Sequence, residues 1–179
     1  VVQHVLAGAE EAEVASDPMA ASTERFALEE VAIASSEVCE AVASLVPQLS
    51  TRAAPPSPAE VEAMVASDAV HLLLVRDCST GRVLGMLSLV SFRIPTGVRA
   101  LIEDVVVDES ARGLGLGRLL TTGALALAER LGADTVDLTS RPSREAANQL
   151  YLSVGFERRE TNVYRYRLDG AGPPGGVDA

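Results

Sequence analysis

Ile102-Glu-Asp-Val-Val-Val-Asp-Glu-Ser-Ala-Arg-Gly-Leu-Gly-Leu-Gly-Arg-Leu-Leu120 runs from β-branched apolar residues, through alternating glycines, into a leucine-rich segment. Val105, Val106 and Val107 predict a buried strand. Gly113, Gly115 and Gly117 predict a tight loop, because glycine accepts conformations and close approaches that other residues resist. Leu116, Leu119, Leu120, Ala124, Leu127, Ala128 and Leu131 recur at helical spacing. A loop of this kind aims several backbone N–H groups at one point. The helix behind it adds its unpaired first-turn donors and the positive end of its dipole. Strand, loop and helix together predict a site for an anion of the phosphate or pyrophosphate type.

Upstream of this stretch, His71–Asp77, Arg82–Ile94 and Val98–Val107 are predicted strands separated by short turns at 78–81 and 95–97, which makes them antiparallel neighbours. Arg25–Ala34 is a candidate first strand. Ser35 or Ser36 then caps a helix with Val38, Val42, Leu45, Val46 and Leu49 on one face. Ser57-Pro58-Ala59-Glu60 is a capping box with proline at the first helical position. Downstream, Gly132 is expected to end the leucine-rich helix as a left-handed cap. Thr135–Ser140 is a short strand, and Ser143 is expected to cap a last helix ending at Gly155. Phe156–Glu160 and Asn162–Leu168 are expected to be closing strands. The predicted order is β-α-α-β-β-β-α-β-α-β-β, an α+β domain over 24–169 with a mixed, mostly antiparallel sheet flanked by helices. Residues 1–23 are expected to be a flexible extension, with Met19 an alternative start, and 170–179 a disordered tail.

The chain has 179 residues, enough for one domain with a substantial core. Its net charge of −10 argues against a nucleic-acid surface, which needs a basic patch. It is compatible with a cationic or amine-bearing partner. No apolar run is long enough to span a membrane, and no leader pattern is seen, so a cytoplasmic protein is expected. Cys39 and Cys78 form no CxxC pattern, and His4 and His71 stand alone, so no metal site is expected.

Two motifs carry a family resemblance. Arg112-Gly113-Leu114-Gly115-Leu116-Gly117 follows Val105-Val-Val-Asp108, and Leu150-Tyr151-Leu-Ser-Val-Gly155-Phe156 stands near the C-terminus. In these motifs and in element order over about 26–168, the chain resembles the GNAT N-acetyltransferase superfamily. The dinucleotide fingerprint GxGxxG within a βαβ unit is a poorer match, since the spacing here is GxGxG after a meander.

The resemblance implies acetyl-CoA as acyl donor and a small-molecule or protein amine as acceptor, attacking the thioester directly. It also implies a homodimer as a common assembly. Carried over residue by residue, the main chain of Val105, Val106 and Val107 pairs with the pantetheine arm, as in β-augmentation. The segment Arg112, Gly113, Leu114, Gly115, Leu116, Gly117 and Arg118 holds the pyrophosphate. Many family members place an asparagine about two turns before the tyrosine, where Arg144 stands here. Arg144 or Ser143 is therefore expected to meet a phosphate, with Asn148 as a further cofactor-side residue.

An ammonium must lose a proton before it attacks, and Glu103 or Asp104 is the candidate base. Strand alternation puts Glu103 on the face of Val105 and Val107, which favours Glu103. Tyr151 is the candidate donor to the leaving sulfur. Phe92, Arg93, Tyr164 and Tyr166 are candidate acceptor-site residues. Ile102-Glu-Asp104 also resembles glucosamine-phosphate N-acetyltransferases, on three residues only. The alternative from another class is a GNAT-fold module that binds acyl-CoA without turnover.

Overall fold

In the computed structural model, residues 25–50, 53–166 and 168 are described; the extension expected over 1–23, with His4 and Met19, and the tail expected over 170–179 lie outside them. Five strands form one sheet: β1 (Phe26–Glu30), β2 (Val70–Asp77), β3 (Val83–Ile94), β4 (Gly97–Val107) and β5 (Thr135–Leu138), in that spatial order. The first four pair antiparallel and β4–β5 is parallel. Turns of a few residues can only reverse the chain, whereas the parallel pair needs a crossover. That crossover is the helix α3 (Leu116–Arg130).

Helices α1 (Ser36–Leu49) and α2 (Pro58–Val65) cover one face of the sheet. There Val38, Val42, Leu45 and Val61 pack with Leu72, Leu74, Met86 and Val106. The other face receives α3, whose Leu116, Leu120, Ala124 and Leu127 meet Leu73, Val75, Leu87, Leu89 and Ile102. Alternation along β2 separates Leu72 and Leu74 from Leu73 and Val75. A strand buried on both faces thus joins two apolar layers. The last helix, α4 (Glu145–Val154), has no fully buried residue and packs on α3.

Local signals account for the helix ends. Ser35 caps α1 through Val38 N–H at 3.3 Å. Ser57 and Glu60 form the expected reciprocal box on α2, with Ser57 N–H donating to Glu60 Oε2 at 2.7 Å. Gly132 and Gly155 are left-handed just past α3 and α4. His71 is tied down structurally, with Nδ1 2.8 Å from Glu30 Oε1 and Nε2 3.3 Å from Ser91 Oγ. Cys39 and Cys78 are free thiols. Among the described residues there is no metal-ligand cluster, and no helix is long and apolar enough to cross a membrane.

The α+β, mostly antiparallel architecture is the expected one, but its C-terminal end differs. Residues 156–166 form no ladder, so the two closing strands are absent among the described residues. Val163, Tyr164, Tyr166 and Leu168 are exposed. Strand propensity reflects fit to a partner and a half-buried face, and alternation along this segment supplies neither. Likewise α4 is capped at Arg144 rather than Ser143, without a side-chain cap, because Arg144 N–H closes a turn onto Arg141 C=O at 3.0 Å.

Candidate functional site

The segment between β4 and α3 turns on glycine conformation. Gly113 and Gly115 have φ of 81° and 78°, in the left-handed region, and a Cβ at either would meet nothing within 4 Å. Both positions therefore select glycine for conformation and not for space. Gly115 is the N-cap of α3 and supplies no side chain to the first-turn N–H groups. Those donors are left for a ligand. Arg112, Leu114 and Arg118 are exposed around the loop, whereas Leu116 is buried as the first core residue of α3.

Gly117 serves a different purpose. A Cβ there would stand 3.2 Å from Leu150 Cδ2, so its absence lets α4 approach α3. Arg118 Nη2 donates to Ser153 Oγ at 2.7 Å across the same contact, 35 positions along the chain. The glycine motif and the tyrosine motif thus touch directly, and the loop and Tyr151 belong to one packed unit.

The strand leading into the loop is irregular where the chemistry is expected. Ser88 pairs with Glu103 and Met86 with Val106, so Leu87 faces two residues, Asp104 and Val105. This is a bulge, and Asp104 takes its left-handed position at φ 51°. The bulge corrects the expected alternation. Val105 and Val107 pack on the α3 side with Ile102, while Val106 joins the α1–α2 side. Glu103, opposite Ser88, falls on the α1–α2 face with Val106, apart from Val105 and Val107. Glu103 and Asp104 are exposed, and neither makes a side-chain hydrogen bond or ion pair with another described residue.

Asp104 tests the bulge. Asp104→Gly is expected to leave the urea midpoint near its original value. Asp104→Val is expected to cost about 1–2 kcal/mol, because a β-branched residue resists the left-handed region. Equal midpoints would mean that the strand can shed its bulge.

Parallel pairing with β5 stops at Ile102–Leu138, yet β4 continues to Val107. Beyond Ile102 the outer edge of β4 has no strand partner among the described residues. Val105–Val107 therefore offer main-chain groups to an extended ligand, just before the glycine loop.

Tyr151 sits on α4, half-buried, with its ring edge-on to Phe156 at 5.9 Å and 67°. Burial raises the phenol pKa above its ordinary value, and the Arg144 charge opposes that shift. The phenol is thus neutral, with a proton to donate, at physiological pH. A groove of about 1180 Å3 runs between β5 and α4; Leu138, Ser140, Asn148 and Tyr151 are in its wall. The glycine loop and Val105–Val107 lie outside that lining.

Asn148 is engaged locally, donating from Nδ2 to Arg141 C=O at 3.0 Å, and Arg144 donates to Leu49 C=O at 3.2 Å. Ser143 lies exposed in the turn that precedes α4. The expected acceptor residues are not gathered. Phe92 and Arg93 lie toward the β3–β4 hairpin, paired with Arg99 and Val98, four and five residues along β3 from Ser88. Tyr164 and Tyr166 are 88% and 87% exposed on the unpaired segment.

Ser140 was not singled out by sequence patterns. Its Oγ is buried without a hydrogen-bond partner among the described residues, in the wall of the groove. The only trace in the sequence is a hydroxyl just past the end of the short strand after α3.

Comparison with known proteins gives concordant matches. The model of the Acetyltransferase (GNAT) family matches residues 41–156. A glucosamine 6-phosphate N-acetyltransferase of Trypanosoma brucei brucei is 38% identical over 93 residues, covering 50% of this chain and 59% of that protein. The chain thus spans about three fifths of the length of this curated relative. An acetyltransferase structure from Trypanosoma brucei superposes with TM-score 0.66 at 25% identity, over 79% of this chain and 99% of that one. A glucosamine-6-phosphate N-acetyltransferase structure from Arabidopsis thaliana gives TM-score 0.67 over 79% and 97%, and at 19% identity it bears on the fold alone.

Proposed function

The chain belongs to the acetyltransferase (GNAT) family, and from that premise we propose that it transfers the acetyl group of acetyl-CoA to a primary amine of a small molecule. The observation that carries the proposal is the open outer edge of β4 leading directly into two left-handed glycines at an uncapped helix start. Acetyl-CoA, when bound, supplies an activated acyl thioester. Its fit rests on this chain's own features. Val105–Val107 offer a free strand edge to an extended amide-bearing arm. The N–H groups over 112–117 offer a nest to a diphosphate, and Arg112, Arg118 and Arg144 add positive charge nearby.

Glu103 removes a proton from the incoming ammonium, directly or through water; it is exposed on the α1–α2 side and no described residue competes for its carboxylate. Asp104 holds the bulge and adds negative charge that attracts a cationic amine. Tyr151 donates its phenol proton to the leaving sulfur. A backbone N–H near Val105 stabilises the developing charge on the thioester oxygen.

An amino sugar phosphate is the first acceptor to try, because the relative from Trypanosoma brucei brucei is named for glucosamine 6-phosphate. A protein amino group is the second. From the resemblance we also carry over a homodimer in the cytoplasm, with no residue assigned to its interface.

The test is a panel of amines with acetyl-CoA, followed by free-thiol release. Glucosamine 6-phosphate, aminoglycosides and a lysine-containing peptide form its arms. Amine-dependent thiol release is expected, with Glu103→Gln lowering kcat about 100-fold at neutral pH. CoA binding with no thiol release from any amine would favour the non-catalytic acyl-CoA module instead.

A further inference from the structure

The last turn of α1 is bonded to segments far along the chain. Gln48 Nε2 donates to Asp108 Oδ2 at 3.2 Å, and Gln48 Oε1 accepts from Glu109 N–H at 2.9 Å. These partners are 60 and 61 positions away and immediately precede the glycine loop. Asp108 is 6% exposed. Its Oδ2 also accepts from Arg82 Nη2 at 2.9 Å, and its Oδ1 accepts from Ser110 N–H at 3.0 Å and from the Ser110 hydroxyl. These bonds hold the carboxyl below its ordinary pKa, so it stays charged. One residue on, Leu49 C=O accepts from Arg144, the residue at the start of α4.

The turn that leads into the candidate phosphate loop and the start of α4 are thus tied to residues 48 and 49. Asp108 already has Arg82 and Ser110 as partners. Gln48 adds the one side-chain bond to Glu109 N–H, at the first residue of the short 3-10 turn Glu109–Ala111 that delivers Arg112. A nest of N–H groups binds well only when its donors are already aligned.

We propose that Gln48 is a positioning residue: its carboxamide bridges Asp108 and Glu109 and sets the angle at which the glycine loop presents its N–H groups to the diphosphate of coenzyme A. This role rests on the proposed use of acetyl-CoA. It joins α1, which covers the Glu103 face of β4, to the loop on the cofactor side. Gln48 touches no reacting atom, so its effect belongs in cofactor affinity and not in the chemical step.

Two variants test this. Gln48→Met keeps the length and loses both bridging bonds, together with the Nε2–H that donates to Ser44 C=O at 3.4 Å within α1. Gln48→Glu keeps an acceptor for Glu109 N–H but sets a second carboxylate against Asp108. CoA affinity is measured by calorimetry, with kcat and KM for acetyl-CoA and melting temperature measured in parallel.

Gln48→Glu is expected to weaken CoA binding about 10-fold and Gln48→Met about 5-fold, the scale of one or two hydrogen bonds. KM for acetyl-CoA follows these changes while kcat holds within about 2-fold.

Parent-like affinity in both single variants would overturn the role. So would a fall in kcat at unchanged KM. If the parent chain itself fails to bind CoA, the proposed function falls first, and this role with it.

Discussion

Gly115→Glu is expected to abolish CoA binding, a loss of at least about 100-fold in affinity. Two effects add. A side chain forced to φ 78° carries a strain of about 1–2 kcal/mol, which the loop relieves by turning its N–H groups away from the ligand. The carboxylate also stands at the uncapped start of α3, where it takes the place of an anionic ligand on the same donors and repels a diphosphate.

Gly115→Ala separates the two effects. Nothing lies within 4 Å of a Cβ there, so only the strain remains, and a loss of about 10-fold is expected. Calorimetric titration with CoA measures both, and a circular-dichroism melt checks that each variant is folded. Normal binding by a folded Gly115→Glu would remove this loop from the cofactor site.

Tyr151→Phe is expected to lower kcat about 100-fold, the usual size of one general-acid contribution, while CoA affinity stays within about 2-fold. Phenylalanine preserves the half-buried ring and its edge-on contact with Phe156 at 5.9 Å, so the difference reports on the hydroxyl alone. The pH dependence follows from the sign of the shift. Burial raises the phenol pKa, and the acid form is the one required, so Tyr151 stays competent until pH rises past the ordinary tyrosine range. Any loss of turnover at milder alkaline pH must come from another group. Unchanged turnover in Tyr151→Phe would leave this residue as packing between α4 and Phe156.

Most of the fold was legible because its signals are local. The capping box at Ser57 and Glu60, the left-handed stops at Gly132 and Gly155, and the leucine stripe of α3 each depend on residues within a few positions of one another. The meander was legible because short turns allow only antiparallel neighbours. The glycine loop was legible for the same local reason: Gly113 and Gly115 take left-handed turn positions that select glycine. What failed was strand assignment over 156–168, where the segment around Tyr164 and Tyr166 pairs with no strand among the described residues. A helix satisfies its own backbone, whereas a strand needs a neighbour that its own residues do not specify.

The site divides along the same line. Residue order alone determined that β4 would enter a glycine turn at the head of a helix, and that a tyrosine would follow on a later helix. Only the packed chain decided that β4 bulges opposite Leu87, which turns Glu103 to the α1–α2 face. It also decided that Gly117 meets Leu150, and that Gln48 reaches Asp108 and Glu109 across 60 and 61 positions. Each of these is a contact between segments far apart in sequence, and such contacts follow from how strands register and helices settle on a sheet, which no local pattern encodes.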